Sequence, residues 1–345
     1  MRIAPLLAAI FLLFLSFLSQ AATADQLIFA VDIIRHGDRS PVIDIPKSPY
    51  TWPQALGELT PEGAYQEYKL GKAKAVQYTV ENHLLPERYD RDSMIVRSTD
   101  FDRTLMSAEA FLFGLYPLSE RKPASQFALP YDYHPIPIHT VSTNQENLLF
   151  TKLQRFSALT AKYVYSQKAY QEKKLQIKNK VTLWQTLTGL DLTKTSNLIY
   201  LADNLYIRKL HHVAMPAGIT PAMADEIMNV GQWFSVSKFA PYPIGMSASK
   251  ELLALISKKF TAASHHLALK YLLFSGHDDT ILSMLSALHH PQTVRPRYAS
   301  DLNFLLYKNE KGGFYVKVNF NDEPVAILGC SENCSLADFN KLTSA

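Results

Sequence analysis

The chain has 345 residues, 47% hydrophobic and 19% charged, with 13 Gly, 19 Pro and only 2 Cys. That composition excludes long disorder, a collagen-like chain and a disulfide-dense mini-scaffold, and at roughly 150 residues per domain the length accommodates two domains. A formal net charge of +4 is small for this size; it gives a mild preference for anions, and no nucleic-acid partner is expected.

Met1 to Ala24 carries Arg2 near its start, an apolar run from Leu6 to Leu18 and a closing Ala22-Thr23-Ala24. A basic start, a short apolar stretch and a small-residue cleavage pattern predict a removed signal peptide over residues 1–24, with a signal anchor as the alternative. The run is short for a bilayer span and no comparable stretch follows, so no stable membrane anchor is expected. Leu27 to Ile34 (LIFAVDII) has the continuous apolar character of a strand buried on both faces. It stops at Arg35-His36-Gly37-Asp38-Arg39-Ser40-Pro41, where Gly37 would let backbone approach a ligand closely and Pro41 stiffens the loop exit. Thr60-Pro61 opens a helix that continues toward the late seventies. Met94 to Val96 is a second strand ending at Arg97-Ser98-Thr99, and Asp100 to Leu115 has the pattern of a capped amphipathic helix.

From about Val141 to Leu255 the texture is helical, with patterns over Leu148 to Lys180, Leu198 to His212 and Pro221 to Ser235. The lysines between Lys168 and Lys180 alternate with Tyr, Gln and Glu at helical spacing, as on an exposed helix face. Strand character returns at Tyr271 to Phe274, before Ser275-Gly276-His277-Asp278 and a helix from Thr280 to about Leu288. Leu302 to Lys308 and Phe314 to Phe320 flank Lys311-Gly312-Gly313, which predicts a hairpin. The fold expected is α/β: a central, mostly parallel sheet flanked by helices, formed by residues 25–140 and 256–345, with a smaller α-helical domain inserted at 141–255.

Cys330 and Cys334 have no histidine close enough to complete a zinc site. In an oxidising compartment they predict one small-loop disulfide pinning the tail, with two free thiols as the alternative. The only N-x-S/T triplet, Asn333-Cys334-Ser335, lies inside that loop and is poorly placed for a glycan. These features favour an exported bacterial protein, periplasmic or secreted, over a eukaryotic glycoprotein. Adjacent histidines occur at His211-His212, His265-His266 and His289-His290. Helical neighbours diverge by about 100°, so such pairs rarely chelate one ion; with no H-E-x-x-H motif, a solvated or core-rim placement and no metal are expected.

Three polar clusters fall where predicted strands end: Arg35, His36 and Arg39; then Arg97; then His277 and Asp278. Ligands of open α/β sheets collect at the carboxyl ends of strands. Arginines gathered there repel one another unless an anion neutralises them. A phosphate monoester carries about −1.5 to −2 charge near neutrality, and its oxygens match the guanidinium fork. An isolated arginine such as Arg97 is more often solvated or locally paired, so the clustering carries the expectation of a phosphoryl site.

RHGDRSP at Arg35 to Pro41 resembles the R-H-G-x-R-x-P signature of the histidine acid phosphatases, branch 2 of the histidine phosphatase superfamily. SGHDDT at Ser275 to Thr280 is similar to the family's second motif. RSTDFDRTLMSA (Arg97 to Ala108), TWPQALGELTPEGAYQEYKLG (Thr51 to Gly71), PIPIHTV (Pro135 to Val141) and GCSENCSLADF (Gly329 to Phe339) resemble the prostatic and lysosomal subgroup. The resemblance implies a secreted acid phosphatase that hydrolyses small-molecule phosphate monoesters with neither metal nor other cofactor. It implies His36 as the nucleophile of a phosphohistidine intermediate, with Arg35, Arg39, Arg97 and His277 holding the phosphoryl oxygens. Asp278 is the implied proton donor, so acid-optimal activity is expected; Asp38 and Asp279 are secondary candidates. The family's second motif usually continues His-Asp-Thr, whereas here Asp279 intervenes before Thr280 and is placed to share the donor role. The lack of the phytase-like Asn favours broad phosphomonoesters. A phytase-like inositol phosphate hydrolase and a non-catalytic phosphate-ligand binder are the alternatives, and a homodimer is one candidate assembly because some members of the subgroup form dimers.

Overall fold

The computed structural model describes residues 25–118, 129–150, 153–330 and 333–343; the expected signal peptide over 1–24 lies outside the described residues. The first part of the chain runs β1 (Gln26–Arg35), α1 (Pro61–Ala75), β2 (Met94–Ser98), α2 (Asp102–Leu115) and β3 (Ile138–His139). A helical stretch follows as α3 (Lys168–Thr188), α4 (Thr195–Leu210), α5 (Pro221–Ser237) and α6 (Tyr242–Ala263). The chain then returns through β4 (Tyr271–Gly276), α7 (Asp278–Ala287), β5 (Asp301–Lys308), β6 (Phe314–Phe320), β7 (Glu323–Pro324), β8 (Cys334–Ser335) and α8 (Leu336–Thr343).

The sheet order is β3-β2-β4-β1-β5-β6-β7, with β8 also paired to β6. Strands β3, β2, β4 and β1 run parallel, and β5, β6 and β7 extend them as an antiparallel meander containing the expected hairpin. The long apolar run of β1 makes it the axis of the sheet, because both of its faces are covered. Phe29, Val31 and Ile33 join one apolar cluster with Leu253, Ile256 and Phe260 of α6, Met284 and Leu285 of α7, and Phe339 of α8. Ala30 and Ile34 join the opposite cluster with Tyr78, Phe111 and Leu112 beneath α1 and α2. This is the two-residue alternation of a strand acting on both faces at once.

Thr60 caps α1 by accepting a hydrogen bond from Gly63 N at 3.0 Å, and Pro61 takes the first helical position. Helix α2 begins after Phe101, whose side chain gives no capping bond, in place of the expected Asp100 cap. The helical pattern expected over 148–180 is met by short turns at Leu153–Phe156, Ser157–Thr160 and Ala161–Tyr165 and then by α3, which ends at Gly189 with φ 77°, the left-handed conformation glycine adopts most easily. A separate apolar cluster, including Trp184, Leu201, Leu205, Ile227 and Phe234, holds α3, α4 and α5 together. Helix α6, which the sequence pattern did not single out, places Ile244 in that cluster and Leu252 to Phe260 in the sheet core. It therefore runs through the boundary expected at 255/256. The expected disulfide joins Cys330 to Cys334, just before α8 docks Phe339 into the core.

One polar network sits inside the face beneath α1. Lys74 Nζ lies 2.6 Å from Asp301 Oδ2 and 3.7 Å from Asp32 Oδ1. Tyr78 and Tyr271 donate to the two oxygens of Asp32 at 2.9 and 2.7 Å. Burial and the neighbouring Asp32 push Asp301 up to about 7, against the pull of Lys74. Removing the only cation of this group strands two buried carboxyls. Lys74→Met is expected to destabilise the protein by about 3–5 kcal/mol in urea unfolding; a loss below about 1 kcal/mol would show that the aspartates find other partners.

Candidate active site

Backbone bonds bring the sequence motifs to one edge of the sheet. His36 N donates to Gly276 O and Thr99 N to Ser275 O, both at 3.1 Å, so the loops after β1 and β2 are each tied to the end of β4. Helix α1 rests directly on the first motif. A Cβ on Gly37 would lie 2.2 Å from Gly63 O, and one on Gly63 would lie 2.1 Å from Asp38 O. The expectation that Gly37 makes room for a ligand is thereby corrected: the close approach it permits is that of the α1 backbone.

His36 is 2% exposed, and its Nδ1 lies 2.8 Å from Gly37 O. A carbonyl only accepts, so Nδ1 carries the proton and Nε2 keeps its lone pair. Burial first, then Arg35, Arg39, Arg103 and His277, hold the imidazole well below its ordinary pKa. It is therefore neutral in acid, the state a nucleophile needs. The His277 ring centroid lies 5.6 Å away, held edge-on by Phe101 and Phe150 at 5.1 and 5.4 Å. His277 Nε2 shares a hydrogen bond of 3.0 Å with Thr99 Oγ1. Burial and Arg103 are the two largest influences on its pKa and both lower it; with the other neighbours the pKa falls to about 3.

The arginines are organised by two carboxylates. Arg39 forms a two-pronged bond to Asp203 of α4 at 2.9 and 3.1 Å. Arg295 donates to Asp203 at 2.9 Å and to Asp278 through Nε. Arg35 lies 3.8 Å from Asp278 and 4.3 Å over the Tyr298 ring. Arg103 stacks its guanidinium 4.6 Å over Phe101 and is held below its ordinary pKa, to about 10, by burial and Arg39. The Nε–H groups of Arg35, Arg39 and Arg103 are buried and find no acceptor among the described residues.

The two aspartates after His277 are pushed in opposite directions. Burial raises Asp278, but Arg295 and Arg35 outweigh it and hold that carboxyl well below its ordinary range. Burial and the adjacent Asp278 raise Asp279 to about 7, and its Oδ1 has no partner among the described residues.

Thus Arg35, His36, Arg39, His277 and Asp278 converge as expected from the sequence. Arg97 does not join them. Its NH2 donates to both oxygens of the buried Glu146, at 3.1 and 2.9 Å. Arg103, six residues along the same motif, faces the histidines instead. The strand-end rule picked the arginine on β2, whereas the helix that follows carries the one that reaches the site. Asp203 and Arg295 were also missed: one lies in the helical stretch, the other in a loop without a motif of its own. Asp38 is turned away, its Oδ2 accepting from Thr60 at 2.6 Å and pairing with His211 at 2.8 Å.

The family model for the histidine phosphatase superfamily (branch 2) matches residues 26–210. This chain belongs to that superfamily. Among its branch 2 relatives, human lysosomal acid phosphatase is 33% identical over 342 residues, covering 93% of this chain and 78% of that protein. Human prostatic acid phosphatase is 31% identical over 376 residues, covering 99% and 93%. Among solved structures, Hafnia alvei phytase in complex with myo-inositol hexakis sulphate superposes with a TM-score of 0.68 at 19% identity, covering 94% of this chain and 98% of that one. The helices on both sides of the mixed sheet are thus those of a histidine acid phosphatase fold.

The raised Asp279 has a definite pH signature. In the window between its ordinary 3.8 and about 7 the folded state binds a proton that the unfolded state has released, so its contribution to stability is lost as pH rises through that window. Asp279→Asn removes the ionisation. Its Tm relative to the wild type is expected to be higher at pH 8 than at pH 4; a difference independent of pH would place the titration elsewhere.

Proposed function

We propose that this chain is a phosphoric monoester hydrolase of the acid phosphatase type, acting through a phosphohistidine intermediate at His36. The observation that carries the proposal is a buried imidazole with a free Nε2 lone pair, set among guanidinium groups that exceed their carboxylate partners. Arg35, Arg39 and Arg295 share Asp203 and Asp278, and Arg103 adds a fourth positive charge. Two positive charges are left over, a match for the about −1.5 to −2 of a phosphate monoester. The unpaired buried Nε–H groups are donors for its oxygens.

The chemistry follows from these positions. His36 Nε2 attacks phosphorus in line; the N–P bond forms as the bond to the leaving oxygen breaks. Asp278 gives that oxygen a proton, and Arg35, Arg39, Arg103 and His277 stabilise the charge on the equatorial oxygens. Water then attacks the phosphohistidine, Asp278 takes its proton, and inorganic phosphate leaves with His36 regenerated. Asp278 is ionised in the free site because of Arg295 and Arg35. A bound dianion neutralises those arginines, which lets the carboxyl hold a proton in acid. No metal is needed, since the arginines supply the positive charge.

A cavity of about 610 Å³ opens beside Arg35 and Arg295, lined by Ile199, Tyr206 and Met228 together with Lys209, Asn229 and Gln232. Such a mixed wall suits the organic part of varied monoesters. We further propose that the 141–255 segment acts as a cap on this side, and that the protein works after export, in periplasm or medium. The leader-like residues 1–24, the disulfide and the likeness to a lysosomal enzyme support export.

Hydrolysis of p-nitrophenyl phosphate by the mature protein, measured from pH 4 to 8 with EDTA present, is expected to be greatest in acid and to vanish in His36→Ala. Loss of activity to EDTA alone would overturn metal independence, and a rate still rising above neutrality would remove Asp278 as the acid. Arg103→Ala is expected to lower kcat/KM by about 100-fold or more, and Arg97→Ala by less than about 10-fold. The reverse order would return the phosphoryl oxygens to Arg97. Asp278→Asn is expected to slow esters with poor leaving groups most, and the same selectivity in Asp279→Asn would transfer the donor role.

A further inference from the structure

Asp38, Glu62 and His211 meet at the outer side of the first motif. Each offers one ligand atom, and these atoms lie within 4.8 Å of one another. They come from three different parts of the fold: the loop after β1, the first turn of α1 and the residue that ends α4. Asp38 is fully buried. Its Oδ2 takes the bonds from Thr60 and His211, while its Oδ1 is buried without a partner among the described residues. A desolvated carboxylate oxygen with no donor is costly, and a cation relieves that cost directly. The His211 ring is held edge-on by Trp52, with centroids 5.9 Å apart, so the imidazole is oriented before any ion arrives.

We propose that Asp38, Glu62 and His211 form a site for one divalent transition-metal ion, Zn²⁺ being best suited, that ties the RHGD loop to α1 and α4. One imidazole with two carboxylates is a mixed nitrogen–oxygen set, which suits Zn²⁺ better than Mg²⁺ or Ca²⁺, whose sites are built from oxygen. Bonds of about 2.0–2.2 Å require the ligand atoms to draw closer than in the free site. Glu62 is exposed and can move to close it. No step of phosphoryl transfer is routed through the ion, since Asp38 Oδ2 meets Thr60 and His211 on the side of α1 and α4. It acts as a clamp on the loop that carries His36 and Arg39.

His211 sits at the core rim, as expected for the histidine pairs, and its partner lies on a distant segment, which spacing along a helix does not reveal. The test uses the mature full-length protein, stripped with EDTA and freed of chelator, then titrated with ZnCl₂ alone by isothermal calorimetry. One ion per chain is expected, with Tm rising by roughly 2–4 °C at saturation. His211→Gln and Glu62→Gln should each weaken binding at least about 10-fold and abolish the Tm rise, while their metal-free Tm shows that they fold. No heat and no Tm change in the wild type would overturn the proposal. So would unchanged binding in both variants, which would place the ion elsewhere, or equal binding of Mg²⁺, which would remove the nitrogen ligand.

Discussion

Four guanidinium groups held near one another in a largely buried site repel strongly, and the site end of this molecule is arranged around that repulsion. Asp203 and Asp278 each bridge two arginines, so the cluster persists without substrate. Two carboxylates for four arginines is a compromise. Full neutralisation would leave nothing to attract a phosphate ester, and no neutralisation would push the loops apart. The same excess charge, added to burial, strips the proton from His36. Attraction for an anion and the neutral state of His36 thus share one source.

This changes the meaning of the helical stretch. Asp203 belongs to α4, yet its bonds are to Arg39 in the first motif and Arg295 in the loop before β5. Residues outside the sheet therefore complete its charge balance, and α6 crosses between the two apolar clusters. Through Asp203, helix α4 holds Arg39 and Arg295 at fixed spacing.

The parts of the fold governed by local rules were legible in the sequence. The doubly buried run of β1, the Thr60-Pro61 cap and the glycine-centred hairpin of β5 and β6 each follow from residues within a few positions. The motifs were legible as well, since Arg35, His36, Arg39, His277 and Asp278 sit where strands end. What escaped depends on pairing across distance. Arg97 and Arg103 share one motif, and only the placement of Glu146 and of the α2 N-terminus separates a structural ion pair from a site residue. Asp203, Arg295 and His211 have neighbours that sequence spacing does not report, and Gly37 was read against a ligand when its neighbour is Gly63.

An acid-working site of this kind also has to survive acid. His36 and His277 are buried neutral, so the unfolded chain takes up protons they refuse; their contribution to stability falls as pH drops below about 6.5. For His277 the loss continues to about pH 3. Asp279 and Asp301, both raised to about 7, have the opposite slope: they hold protons the unfolded chain releases, so stability rises as pH falls from about 7 toward 3.8. Glu67, raised by burial and Asp301, adds to that side. Between about pH 4 and 6.5 the two sets oppose each other. Below that window only the destabilising terms remain, because Asp278 and Asp203, held low by the arginines, begin to lose the ion pairs that keep the cluster together. The buried carboxyls of the core and of Asp279 thus offset the stability cost of keeping two histidines neutral, over the pH range in which a neutral His36 is useful.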